Sequence, residues 1–235
     1  MPHTVTANGD AQIDTAQSKF GGASGLFDGT GDYLSIPDHS DWQLGGGTGD
    51  FTIDMWVRPT DITNVTSQSL FAQRNGAEEA VIFLNYTAPD IFFKVSFIDG
   101  VGGSVILSAA ESISNNTWYH LAVVKNGTTY TSYLDGVQSA TITKSFTYPN
   151  INSQLTIGSN SAGSNNFFYG WIEEYRVSNV ARWTTNFTPP TSAYTTDANT
   201  KLLLHMDGAD GSTSFVDSGS GGAASSTFKP KVVII

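Results

Sequence analysis

Hydrophobic and polar positions alternate with period two along most of the chain, and helical periodicity is nearly absent. Phe51–Arg58 sets Phe51, Ile53, Met55 and Val57 on one face and Thr52, Asp54, Trp56 and Arg58 on the other. Trp118–Lys125 alternates Tyr119, Leu121 and Val123 against Trp118, His120, Ala122 and Val124, which predicts a central strand covered on both faces. Asn126-Gly127 then turns the chain into Thr129–Leu134, and Asp135-Gly136 turns it again into Val137–Thr143; both dipeptides are strong hairpin signals. Further strands are predicted at Tyr33–Ile36, Leu70–Gln73, Ala80–Asn85, Ile91–Phe97, Ser104–Leu107, Leu155–Ile157, Trp171–Ser178 and Leu202–His205. Only Ser178–Trp183 reads as a helical turn, with Ser178 as its cap. Short strands broken every ten residues or so by Gly, Asn, Pro or Asp predict an all-β sandwich or barrel.

One domain over residues 1–217 accommodates this pattern. Its core unit runs from 20 to 194, and 202–207 add a strand near the N-terminus. Residues 218–235 read as a Gly/Ser linker and an apolar tail. Val232, Val233, Ile234 and Ile235 of that tail are expected to dock on a partner or on the domain itself, because an exposed apolar strand invites aggregation.

Composition narrows the function. Aromatics make up 12% of the 235 residues, enough for a large core, while charged residues are only 14%. The net charge of −10 repels phosphate, so neither nucleic acid nor an anionic membrane surface is an expected partner. The chain has no cysteine, which excludes disulfides, thiol catalysis and cysteine-ligated metals. No apolar run reaches the roughly 20 residues of a membrane span, so no membrane insertion is expected. The first residues carry neither a basic start nor an apolar stretch, so no secretory signal is read there.

Seven stretches in order then resemble one family. They are Phe27-Asp-Gly-Thr-Gly-Asp-Tyr-Leu-Ser-Ile-Pro37, Asp50–Pro59, Trp118–Val124, Tyr133-Leu-Asp-Gly136, Leu155-Thr-Ile-Gly158, Tyr169–Ser178 and Ala181–Pro190. Together they resemble laminin-G-like members of the concanavalin A-like lectin/glucanase superfamily. The Ala181-Arg-Trp and Leu202-Leu-Leu-His-Met-Asp-Gly208 variants are similar to copies in bacteriophage and environmental viral structural proteins. The resemblance implies a jelly-roll sandwich of two antiparallel sheets, with Trp118 and Trp171 in the core.

Because the superfamily includes β-glucanases, catalysis is the first function to test. The resemblance implies a Glu-x-Asp-x-Glu strand for catalysis, and none is present. Glu173-Glu174 and Glu78-Glu79 are adjacent pairs, and adjacent strand residues point to opposite faces. His3, His39, His120 and His205 show no metal-ligand spacing, and no enzymatic activity is expected. For a glycan, the candidates are Trp56 with Asp54 and Arg58 on its face, together with Trp42, Tyr86 and Tyr169. The alternative for Trp56 is plain core packing. No cofactor is required, although the resemblance brings in Ca²⁺, with Asp28, Asp32, Asp207 and Asp210 as carboxylate donors if the chain ends adjoin. Asp-Gly is equally a turn dipeptide.

The expectation is a non-catalytic attachment module on a bacteriophage virion, as capsid decoration or a tail or fibre component. Its partners would be other virion subunits, further copies of itself and a cell-surface glycan. The alternative is an extracellular, secreted bacterial carbohydrate-binding or adhesin module.

Overall fold

Asp135 and Gly136 take φ of 48° and 76°. Positive φ at both central residues gives a two-residue hairpin turn whose twist matches its flanking strands. This turn joins β11 (Thr129–Leu134) to β12 (Val137–Thr143), and β10 (Tyr119–Asn126) precedes them in one meander. In the computed structural model, residues 2–160 and 165–219 are described. The remaining strands are β1 (Thr6–Asn8), β2 (Gln12–Asp14), β3 (Ser24–Asp28), β4 (Tyr33–Ile36), β5 (Phe51–Pro59), β6 (Ser67–Asn75), β7 (Glu78–Thr87), β8 (Asp90–Asp99), β9 (Ser104–Glu111), β13 (Leu155–Ile157), β14 (Tyr169–Ser178) and β15 (Thr200–Leu204).

They form two antiparallel sheets. One has the order β1-β4-β13-β6-β7-β8-β9 and the other β12-β11-β10-β5-β14-β3-β2. This is a two-sheet sandwich, as the alternation predicted, in the jelly-roll form that the resemblance implied. Phe51, Ile53, Met55 and Val57 all enter the core between the sheets, with Leu121 and Val123 beside them and Phe93, Val95 and Phe97 of β8 among the buried partners. The opposite face of the second sheet is also apolar in part. Trp56, Tyr194 and Leu203 form one buried cluster there, and Ala122, Val124 and Tyr133 form another. β10 is therefore covered on both faces, as its pattern predicts.

The outer edge of β14 is shared. Its first half, Tyr169–Ile172, pairs with β3, and its second half, Tyr175–Ser178, pairs with β15. β15 and β3 thus follow one another along the same edge of β14. Gly211 donates its amide to the Ile13 carbonyl, and Ile13 donates to Ser212. The tail residues Val232–Ile235 lie outside the described residues.

Two expectations are corrected. Residues 179–183 are not helical, because tertiary contacts outweigh a single isolated turn. Thr52 Oγ1 donates to the Val180 carbonyl and accepts the Arg182 amide, at 2.8 and 3.0 Å. Trp118 and Trp171 are also not in the sandwich core. Trp118 packs on the outer-face cluster. Trp171 gives its indole N–H to Asp14 at 2.6 Å, with the Arg58 guanidinium 5.0 Å from its ring.

Candidate functional site

The outer face of the second sheet is organised by a β-bulge in β14. The register against β5 shifts between Glu173 and Arg176, and Glu174 adopts φ of 54°. Without a bulge, residues 173 and 174 would face opposite ways. Here Ile172, Tyr175 and Val177 enter the core while Glu173, Glu174 and Arg176 all serve the outer face. Strict alternation separates the two glutamates, and the extra residue overturns that reading.

Each of these side chains holds a covering segment. Glu173 accepts the backbone amides of Lys19 and Phe20, the latter at 2.6 Å. Glu174 accepts the Tyr194 amide and bonds His205 Nδ1, both at 2.7 Å. Arg176 makes a two-point pair with Asp54 and stacks its guanidinium 4.0 Å from the Tyr194 ring centroid. His120 Nε2 lies 2.9 Å from the Tyr194 hydroxyl and 3.5 Å from Asp54 Oδ2. Burial pushes the Glu173 carboxyl up to about 7, further raised by Glu174 and Asp207 and opposed by the two amides. Burial also pushes Asp54 up, but Arg176 and His120 outweigh it and hold the carboxyl below its ordinary value. All three carboxylates are committed to anchoring.

Between these anchored segments lies an open cavity of about 560 Å³. Its walls include Phe20, Trp56 and Trp118, with Lys19, Asp135 and the Pro189-Pro190 turn. Phe20 meets Trp56 edge-on at 5.9 Å, and the Lys19 ammonium stands 4.0 Å from the Trp56 ring centroid. The Trp56 indole N–H is buried and has no acceptor among the described residues.

Of the residues singled out for glycan binding, only Trp56 lines this cavity. Asp54 is fully buried beneath the surface, and Arg58 packs on Trp171. Trp42 is fully buried and donates its indole N–H to the Pro37 carbonyl at 2.9 Å. Tyr86, on β7, and Tyr169, at the start of β14, are partly buried outside the cavity wall. The sequence reading missed Phe20, which looked like an isolated apolar residue before a Gly-Gly pair. It also missed Trp118, although that residue's parity with His120 already put it on the outer face.

The four aspartates considered for Ca²⁺ do not converge. Asp32 accepts the amides of Asp10 and Asp28, Asp28 accepts that of Thr30, and Asp210 accepts that of Thr15. The oxygens of Asp28, Asp32 and Asp210 close turns and splice the termini, and no three of the four carboxylates gather as a ligand set. The residues present do not fit a shared calcium site.

A laminin-G model described as concanavalin A-like lectin/glucanases superfamily matches residues 28–186, more than half of the chain. The chain belongs to this superfamily. No curated protein matches it. Among solved structures, this laminin-G-like domain is similar to domain 4 of AbnA, an extracellular GH43 arabinanase from Geobacillus stearothermophilus, in complex with arabinotriose. Identity is 17% and TM-score 0.56, covering 76% of this chain and 82% of that one. It is similar to tailspike protein 2 of bacteriophage CBA120 at 16% identity and TM-score 0.55, covering 76% of this chain and 29% of the tailspike chain. It is also similar to botulinum neurotoxin type C, in a structure whose subject is interaction with two ganglioside molecules. There identity is 15% and TM-score 0.58, covering 76% of this chain and 43% of the toxin chain. The laminin-G-like domain thus spans less than half of the latter two. Likeness at this identity shows the fold, which occurs in binding domains and in parts of enzymes alike. No helix among the described residues is long and apolar enough to cross a membrane.

Proposed function

We propose that the chain is a non-catalytic carbohydrate-binding module whose binding site is the aromatic cavity on the outer face of the second sheet. The observation that carries this reading is the convergence of Phe20, Trp56 and Trp118 with Lys19 and Asp135 around one open cavity. Sugars present apolar C–H faces that stack on aromatic rings and hydroxyls that bond charged and amide groups. Glu173 and Glu174 share a face but spend their oxygens on backbone amides and His205, so neither is offered as acid or nucleophile. Solved relatives of the same fold crystallised with arabinotriose or studied with gangliosides support the ligand class.

The module's place in this proposal is a virion surface, as an attachment element alongside other virion subunits and further copies of itself. Support comes from a tailspike protein of the same fold and from the resemblance of the Ala181–Pro190 stretch to copies in bacteriophage and environmental viral structural proteins. A printed array of bacterial, plant and mammalian glycans, followed by calorimetry with the soluble hit, tests the binding. We expect a ligand whose affinity falls at least tenfold in Trp118→Ala and Phe20→Ala and holds in Trp171→Ala, which lies outside the cavity. Absence of any array signal, or a signal indifferent to Trp118 and Phe20, overturns the reading. Mass spectrometry of particles purified from the source tests the virion placement separately.

A further inference from the structure

Away from this cavity, His3, His39 and Asp41 bring their ligand atoms together. His3 Nε2 lies 3.0 Å from Asp41 Oδ2, and His39 Nδ1 lies 3.1 Å from the same oxygen. All three ligand atoms lie within 4.8 Å of one another, and no other trio of His, Cys, Asp or Glu among the described residues does so. Sequence spacing could not find this trio, because His3 arrives from 36 positions before His39.

The fold builds the cluster from three directions. His39 and Asp41 are fixed by the short 3₁₀ turn Ser40–Trp42, which His39 caps. The fully buried Trp42 ring lies beneath, 4.6 Å from the His3 ring and 6.4 Å from that of His39. His3 is held by its own backbone amide, which donates to Asp217 Oδ2 at 2.7 Å. Asp217 in turn accepts the Leu203 amide, so the C-terminal segment fastens the ligand-bearing N-terminal one. The side chains are pre-placed yet reachable: His3 is 8% exposed, Asp41 13% and His39 38%. Asp41 also lines a cavity of about 340 Å³ with Ser40, Gln43, Asp50 and Lys201, which leaves room for water at further coordination positions.

We propose that His3 Nε2, His39 Nδ1 and an Asp41 carboxylate oxygen form a binding site for a divalent transition metal of the zinc class. Ligands about 2.0–2.2 Å from one ion sit about 3.0–3.5 Å from each other, and both contacts to Asp41 are already of that length. Two imidazoles and one carboxylate select zinc and its neighbours over Ca²⁺ or Mg²⁺, which prefer all-oxygen sets. Binding replaces the 3.0 Å bond between His3 Nε2 and Asp41 Oδ2 with shared coordination and gives up the 3.2 Å bond from the Asp41 amide to His39 Nδ1. The Trp42 packing holds the turn without it. A metal here would tie the N-terminal segment to the loop after β4 and stabilise the fold through mass action.

Metal-free protein titrated with Zn²⁺ in a calorimeter, and with Co²⁺ by visible absorption, tests the site. One ion per chain is expected, with affinity reduced at least tenfold in His39→Gln, His3→Gln and Asp41→Asn. Absence of saturable binding, or binding unchanged in all three variants, overturns the proposal. Wild-type NMR keeps the test independent of variant folding. Zn²⁺ should shift the ring resonances of His3 and His39 and leave those of His120 and His205 in place. Shifts confined to the latter pair, or none, overturn the proposal.

Discussion

Arg176 and Asp54 meet in a two-point pair beneath the outer face, Nε to Oδ1 at 3.0 Å and Nη2 to Oδ2 at 2.8 Å. Both are buried, Asp54 completely. Removing one partner strands the other charge in a low dielectric, so Arg176→Met is expected to cost about 3–5 kcal/mol. Asp54→Leu combined with Arg176→Met should cost clearly less than the two single changes added together, because the second substitution removes the stranded charge. Urea denaturation of the three variants gives the comparison. Additive costs would mean that the two side chains do not stabilise each other.

Glu173 makes stability depend on pH. In the unfolded chain its carboxyl titrates near 4.5, and in the folded protein near 7. Between those values the folded state binds more protons, so this group lowers stability as pH rises, by up to about 1.4 kcal/mol per pH unit. His205, raised by its bond to Glu174, acts in the same direction, since its contribution is complete below its unfolded value and disappears as pH climbs through the folded one. Asp54, Asp41 and Asp197 are all lowered, Asp197 to about 2 by Arg182, and their contributions are lost on acidification. Thermal melts from pH 3 to 9 should peak at about pH 5–6. Glu173→Gln should flatten the alkaline limb while leaving the acid limb in place. An unchanged alkaline limb would remove Glu173 as its source.

The same strand shows what the sequence could and could not reveal. The alternation of Phe51–Arg58 and Trp118–Lys125 assigned both faces of β5 and β10 correctly, because a period of two is a local property of the backbone. The Asp135-Gly136 turn was legible for the same reason. The β14 bulge was not, because Trp171–Ser178 alternates plausibly in either register and only pairing with β5 and β15 decides where the extra residue goes. The three-residue strands β1 and β2 and the Ser24–Asp28 strand β3 were missed because they depend on distant partners. The candidate site was legible only at Trp56. Lys19, Phe20 and Pro189 reach it through the anchors that the bulge aligns.

Glu174 fastens the segment that covers this face. Its carboxylate accepts the buried Tyr194 amide and bonds His205. Glu174→Ala would leave a buried amide unsatisfied, at a cost of about 1–3 kcal/mol. The loosening should be local. Hydrogen exchange at residues 190–200 is expected to accelerate while β5 and β10 keep their protection. Glu174→Gln, which retains an acceptor, should restore most of the protection. Uniform acceleration across the sandwich would mean that the bulge residue supports the whole fold rather than its cover.

Two hairpin glycines separate the cost of backbone conformation from the cost of space. Gly127 and Gly136 both have positive φ, 59° and 76°. A Cβ on Gly127 would meet nothing within 4 Å, whereas one on Gly136 would lie 1.9 Å from the Phe187 carbonyl oxygen. Gly127→Ala should therefore pay only the left-handed penalty of about 1–2 kcal/mol. Gly136→Ala must also push away the backbone of the 181–187 segment, whose Phe187 amide donates to the Gly136 carbonyl at 2.9 Å. That segment carries Trp183 and Phe187, stacked at 4.0 Å, against the His120 ring. The expected result is a clearly larger loss for Gly136→Ala in chemical denaturation, with a change in Trp183 fluorescence absent from Gly127→Ala. Equal losses would show that the segment yields freely, and the aromatic layer over His120 would then contribute little to holding the outer face.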